Sequence, residues 1–453
     1  MSLTKENPAQ QHEQYNDEQK AVIKKLFTRL ILFLFILFVF SFLDRINIGF
    51  AALTMGEDIG IDATAFGMAM TLFYVTYLIG GIPSNVILSI MGARKWIAII
   101  MVAWGFASTA TMFAQGPTSL YIIRMIVGIT EAGFLPGILL YLTYWFPSFF
   151  RARANALFII AMPFTAAIGS AVSGFLLQMD GIWGLSGWQW LFFLEGFPAV
   201  ILGVFVWYYL CDSPDKAQWL NDREKEVLKD MIEKDRLSLV QPQGPKSHTA
   251  LQHESRWKGI FTAPVILYTI AYFCLCNSLS ASNVWAPMII KNVAGADTSN
   301  TIIGILAGIP HVATILLMLV WSRSSDSMQE RKWHTFIPYL IAMSGWLMCA
   351  VMNDPTYQYV GIIIATAGSF TAMVLFWTTP DQNISDNARA VAIAIINSVG
   401  NIGSGIGPLI IGILFDKTGT FESGLIYISA LLIIGSILIL FIPMTRSRPR
   451  ATP

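Results

Sequence analysis

Apolar residues in this chain come in long unbroken runs, not in alternating or short-period patterns. A helix needs about 20 residues to cross about 30 Å of hydrocarbon. Twelve stretches reach that length: roughly 29–55, 63–90, 95–114, 118–146, 153–178, 188–210, 262–290, 300–321, 333–352, 356–379, 389–414 and 422–443. Several carry Pro or Gly, as at Gly80-Gly81-Ile82-Pro83. Membrane helices accommodate such breaks when neighbours satisfy the freed backbone groups. The pattern predicts an all-α membrane protein with twelve transmembrane helices.

Polar sequence separates these runs into two sets of six. The expected organisation is a tail over 1–28, a six-helix bundle over 29–210, a central loop over 211–259, a second bundle over 260–443 and a tail over 444–453. The first tail reads as disordered. The central loop holds acids and bases in equal number and reads as a solvated linker with one amphipathic surface helix. The first apolar run is too long for a signal peptide and has no small-residue cleavage site, so cleavage is not expected.

Basic residues fix an expected orientation. Arg94, Lys95, Arg151, Arg153, Arg323, Arg331, Lys332 and Arg389 fall in every second loop, on the side of the tails, which add Lys20, Lys24, Lys25, Arg446 and Arg448 among others. The opposite loops carry Lys291 and Lys417. This bias places both termini in the cytoplasm. The halves also echo one another. Arg94-Lys95-Trp96 follows the second span and Arg331-Lys332-Trp333 the eighth; Ala152-Arg153-Ala154 opens the fifth and Ala388-Arg389-Ala390 the eleventh, at nearly the same offset. A duplicated six-helix unit, 6+6 and pseudo-symmetric, is the build of secondary transporters, with the substrate site between the repeats.

Composition supports the membrane reading and excludes other classes. Hydrophobic residues make up 55% of the chain and charged residues 13%, against about 25% charged in soluble domains. A net charge of +1 gives no general attraction to nucleic acid. Cys211, Cys274, Cys276 and Cys349 lack metal-ligand or disulfide-framework spacing. No metal or cofactor is called for, and no Ser-His-Asp or HExxH pattern points to an enzyme.

Ionisable residues inside the apolar runs carry the functional signal, because charge at membrane depth is costly. Asp44 and Arg45 interrupt the first run; Arg124 and Glu131 lie in the fourth. At about 1.5 Å per residue, Arg45 and Arg124 are expected at similar depth and Glu131 near the middle. Two anions and two cations would neutralise one another. Mere structural pairing is a weak reason to bury them, since apolar replacement is often neutral or better. Arginine grips carboxylates in bidentate fashion, and desolvation favours a protonated carboxyl. Arg45 and Arg124 are therefore candidate substrate ligands, and Asp44 and Glu131 candidate proton carriers. Tyr74, Tyr77, Asn277, Asn283, Trp377, Thr378, Asn397 and Asn401 are polar groups in helices that are candidates for a cavity lining. Interhelical hydrogen bonding is the plainer reading of each. His311, after Pro310, reads as a packed histidine, and Glu195 as a structural acid ranking below Glu131. Asp326, Arg331 and Lys332 form a gating cluster that latches one conformation. Its N-terminal counterpart has Asn85 where an acid is expected.

Four segments carry a resemblance: FLDRINIGFA at 42–51, R-x-x-x-G-x-x-E-A-G-F-x-P-G at 124–137, WQWLFFLEG at 188–196 and DSPDKAQWL at 212–220. The chain resembles the major facilitator superfamily over its membrane portion, and within it the anion:cation symporter family. The resemblance implies proton coupling through Asp44 and Glu131 and anion binding through Arg45 and Arg124. GIPSN at 81–85, RARANALF at 151–158, GSFTAM at 368–373 and FWTTPDQ at 376–382 are similar to the 4-hydroxyphenylacetate permeases. That similarity implies import of an aromatic monocarboxylate with protons across a bacterial inner membrane. Sugar acids, tartrate and phthalate-like anions are carried on the same framework. The expected partners are a small organic anion, protons and membrane lipid.

Overall fold

In the computed structural model, residues 15–240, 262–380, 384 and 386–443 are described. Twelve helical spans are long and apolar enough to cross a membrane. The first begins earlier than the apolar run suggests. Asn16 caps α1 (Asp17–Leu26) through a reciprocal capping box with Gln19. A π-turn over Phe27–Ile31 then carries the chain into α2 (Leu32–Ile59) without a break. The first half continues through α3 (Ala63–Met91), α4 (Ala93–Ala110), α5 (Pro117–Glu131), α6 (Phe134–Trp145), α7 (Ser148–Leu176) and α8 (Gly187–Tyr209). The central helix α9 (Asp222–Val240) precedes the second half. That half comprises α10 (Ala263–Ser280), α11 (Ala286–Ala294), α12 (Asn300–Met328), α13 (Lys332–Val351), α14 (Pro355–Phe376), α15 (Asp386–Thr418) and α16 (Glu422–Phe441).

One sequence expectation changes here: residues 17–26 belong to a helix. The amphipathic helix expected in the central segment is α9, and its apolar face docks on α1. Val22, Ile23 and Leu26 of α1 share one buried cluster with Val227, Leu228 and Met231 of α9. Lys25 Nζ pairs with Glu224 at 2.8 Å, and Arg223 with Glu18 at 2.8 Å. The Lys25 ammonium holds the Glu224 carboxyl below its usual range. The sequence hides α1 because its three buried apolar positions, Val22, Ile23 and Leu26, vanish in a charge-rich average.

Two spans are broken where chemistry demands it. The fourth is interrupted between α5 and α6, where a Cβ on Gly133 would lie 1.7 Å from Ser84 Oγ of α3. The seventh passes through a π-turn over Ala281–Trp285 just before Pro287. Proline has no N–H to donate, so the helical register shifts ahead of it.

The halves approach each other closely on the side away from the chain termini. Gly67 of α3 would place a Cβ 2.6 Å from Pro408 O of α15, Gly174 of α7 meets Gly304 of α12, and Gly49 of α2 faces Val284. Asp416 at the end of α15 accepts from the Thr64 amide and hydroxyl at the start of α3. Towards the terminal face the halves part. A cavity of ≈ 310 Å³ lies there, walled by Ile160 and Pro163 of α7, Met318 and Arg323 of α12, and Val374 and Thr378 near the end of α14.

Candidate functional site

Neighbouring helical residues project about 100° apart, and this splits the Asp44-Arg45 pair. Asp44 turns into the first-half bundle and is 2% exposed. Its Oδ1 accepts from Ser108 Oγ of α4 at 2.7 Å and from Asn47 Nδ2 at 3.1 Å. Its Oδ2 accepts from the Trp104 indole. Arg45 points instead towards the junction of the halves. Its Nε donates to Glu131 Oε1 at 2.6 Å, with 25% of the arginine side chain exposed and 1% of the glutamate. The guanidinium lies 4.8 Å from the Tyr77 ring centroid, a cation–π contact. Ser41, one turn before Arg45, donates to the same Glu131 oxygen at 3.2 Å.

Arg124 is 2% exposed and lies 5.4 Å from the Phe192 ring centroid of α8. Among the described residues its Nε and Nη2 find no hydrogen-bond partner, and neither does Glu131 Oε2. Buried charge with unfilled bonding capacity is costly.

The expected double neutralisation is thus half right in geometry: Arg45 pairs with Glu131, whereas Asp44 and Arg124 each lack an ion pair among the described residues. Depth arithmetic misses this for two reasons. Helical side chains lean towards their own N-terminus, which moves the Arg45 head away from Arg124's level and onto Glu131. Trp104 and Ser108 of α4, which the arithmetic on the first and fourth spans leaves out, satisfy Asp44. Their i, i+4 spacing, like that of Ser41 and Arg45, was the available signal.

The remaining candidates divide. Tyr74 is part-buried against both halves and packs on Gly405 of α15. Asn401 and Asn397 continue the Gly405 face at helical spacing; Asn397 is exposed. Trp377 stands edge-on to Tyr272 at 4.9 Å, and exposed Thr378 lines the terminal-face cavity. Asn277 does not join them. It is fully buried, its Nδ2 bonded to Phe273 O and its Oδ1 to the Tyr427 hydroxyl, because Gly403 and Gly407 bring α15 hard against it. Asn283 sits in the π-turn beside Gly49, its Oδ1 buried without a partner among the described residues. His311 is buried against Phe370.

In the gating cluster, Arg331 bonds Asp326 at 2.5 Å and Ser325 Oγ at 2.7 Å. Lys332 takes no part in an ion pair among the described residues. The first half has its own counterpart after all. Asp212, after α8, accepts from the Arg94 amide at 3.3 Å and lies 3.8 Å from its guanidinium. The acid comes from the DSPD segment and not from α3, which local sequence comparison of the loops could not reveal.

The family model for the Major Facilitator Superfamily matches residues 34–408. This chain belongs to the major facilitator superfamily. It is 39% identical over 436 residues to a protein of Agrobacterium vitis described as "Putative tartrate transporter", covering 96% of this chain and 94% of that one. It is 35% identical to the Quinolone resistance transporter of Acinetobacter baumannii, covering 93% and 95%. It is 31% identical to the Inner membrane transport protein RhmT of Escherichia coli, covering 94% and 96%. In fold it matches the xylose transporter XylE from E. coli with a TM-score of 0.72 at 14% identity, over 94% of this chain and 99% of that one. The protein is a multi-pass membrane transporter of the superfamily.

Proposed function

We propose that this transporter imports an organic anion together with protons across a bacterial inner membrane, with both termini cytoplasmic. The observation that carries the reading is the Arg124 guanidinium, buried in the first half with no hydrogen-bond partner for Nε and Nη2 among the described residues, in the same charge cluster as the Arg45–Glu131 pair. A substrate carboxylate supplies what the cluster lacks. In the cycle, a proton on Glu131 weakens its hold on Arg45 and frees that guanidinium for the substrate. Asp44, held by neutral donors, is the second proton carrier. The incoming anion is matched by an incoming proton, so the buried charge changes little, as a low-dielectric site requires. Asp326 and Arg331 tie the end of α12 to the start of α13 and so stiffen the terminal face of the second half during rocking.

Within the anion class we favour an aromatic monocarboxylate such as 4-hydroxyphenylacetate. Tyr74, Tyr77, Tyr272 and Trp377 supply flat apolar faces near Arg45 and across the junction. A second reading, a tartrate-like dicarboxylate, is favoured by the name of the Agrobacterium relative and by two arginines for two carboxylates. A competition panel in energised vesicles separates them. Aromatic monocarboxylates should displace labelled 4-hydroxyphenylacetate at concentrations at least about tenfold below tartrate, a difference of about 1.4 kcal/mol. The reverse order selects the dicarboxylate, and equal displacement by uncharged analogues removes the anion reading altogether.

A further inference from the structure

Glu195 of α8 is a buried acid that the transport reading above does not use. It lies eight residues into the helix, about 12 Å from its start, and is 2% exposed. Ser173 Oγ of α7 donates to its Oε1 at 2.7 Å. Its Oε2 is buried with no partner among the described residues, and no basic side chain pairs with it there. Asn47 of α2 is within hydrogen-bonding reach of it, and Asn47 Oδ1 is buried with no donor among the described residues. The first-half interior holds three carboxyls, Asp44, Glu131 and Glu195, against two guanidiniums, Arg45 and Arg124. An excess buried anion is neutralised instead of carried. The charged groups facing α8 are Asp44 and Asp58 from α2, Arg124 from α5 over Phe192, Asp180 at its start and Arg29 over Tyr209 at its far end. Arg124 is already in the count and Arg29 meets the helix about 21 Å from Glu195, so neither supplies the missing positive charge.

We propose that Glu195 is a proton-binding site, distinct from Asp44 and Glu131. It holds one proton on Oε2 in the substrate-free protein. That proton brings the buried cluster to zero charge and so lets it admit an anion. Its loss leaves the cluster one negative charge in excess and closes the site to anionic cargo. The site deepens the anion-symport reading and rests on it only for this last consequence.

Infrared spectroscopy of the purified, substrate-free protein tests the proton directly. The wild type should show the stretching band of a protonated carboxyl at neutral pH; E195Q should lose it, and E195D should keep it at a shifted frequency. A band that survives unchanged in E195Q overturns the proposal. The second arm is uptake against pH. Wild-type uptake should fall at alkaline pH, and E195Q, permanently neutral, should retain at least about tenfold more uptake than the wild type on that limb, with E195D following the wild type. Coincident alkaline limbs for E195Q and wild type overturn the link to substrate admission. The infrared arm needs no transport, so it still reads Glu195 if the wild type proves not to carry anions.

Discussion

Arg124→Lys should cut uptake roughly 10- to 100-fold while leaving the protein inserted and folded. The substitution keeps a positive charge but replaces a planar fork with a point donor. Losing one charge-assisted hydrogen bond to a carboxylate costs about 1.5–3 kcal/mol, and each 1.4 kcal/mol is a factor of about ten. Arg124→Ala should be worse, because it also leaves the acids of the cluster with a single guanidinium. Folding should survive the lysine change, since among the described residues Arg124 makes no hydrogen bond through Nε or Nη2 that the mutation could break. Initial uptake rates in vesicles, normalised to membrane-inserted protein, read the effect. Near-normal rates for both variants would take Arg124 out of the binding site.

Glu131→Gln should abolish accumulation driven by a pH gradient and spare exchange. Glutamine mimics a permanently protonated acid. It cannot release a proton, so a net cycle of substrate and proton stalls. Counterflow of labelled against unlabelled substrate needs no net proton movement and should persist. The same change weakens the grip on Arg45, whose Nε now bonds the carboxylate at 2.6 Å. Apparent affinity for the anion should therefore rise or hold while accumulation is lost. Full gradient-driven accumulation by Glu131→Gln would move the coupling role to Asp44.

The fold was legible in the sequence because lipid leaves so few options. Every backbone group must be satisfied within a span, so long apolar runs mean helices, and all twelve expected runs coincide with spans of the structure. What escaped is local and depends on partners distant in sequence. The docking of α1 on α9 rests on a few apolar side chains among charges. The π-turn at Ala281–Trp285 and the break at Gly133 answer to a proline and to a close approach of α3.

The candidate site was legible as a set of residues more than as a set of bonds. Hydropathy singles out Asp44, Arg45, Arg124 and Glu131 because each is expensive where it stands. It does not say which acid meets which base. That depends on side-chain lean and on helices that contribute no charge: Trp104 and Ser108 decide the fate of Asp44. Asn277 and Asn401 show the same limit. Both are asparagines in membrane helices, yet one is consumed by Tyr427 while the other lies on the helix face that Gly405 shares with Tyr74. No single-helix pattern separates them, because the distinction is made by glycines on a neighbouring span.

Proton coupling is tested most directly by uptake into liposomes holding only the purified protein. An inward pH gradient, acid outside, is imposed with membrane potential clamped. The account predicts that the anion selected by the competition panel rises above its outside concentration. It also predicts that a protonophore collapses the overshoot to equilibration. Equilibration alone, indifferent to the gradient and to the protonophore, would contradict it.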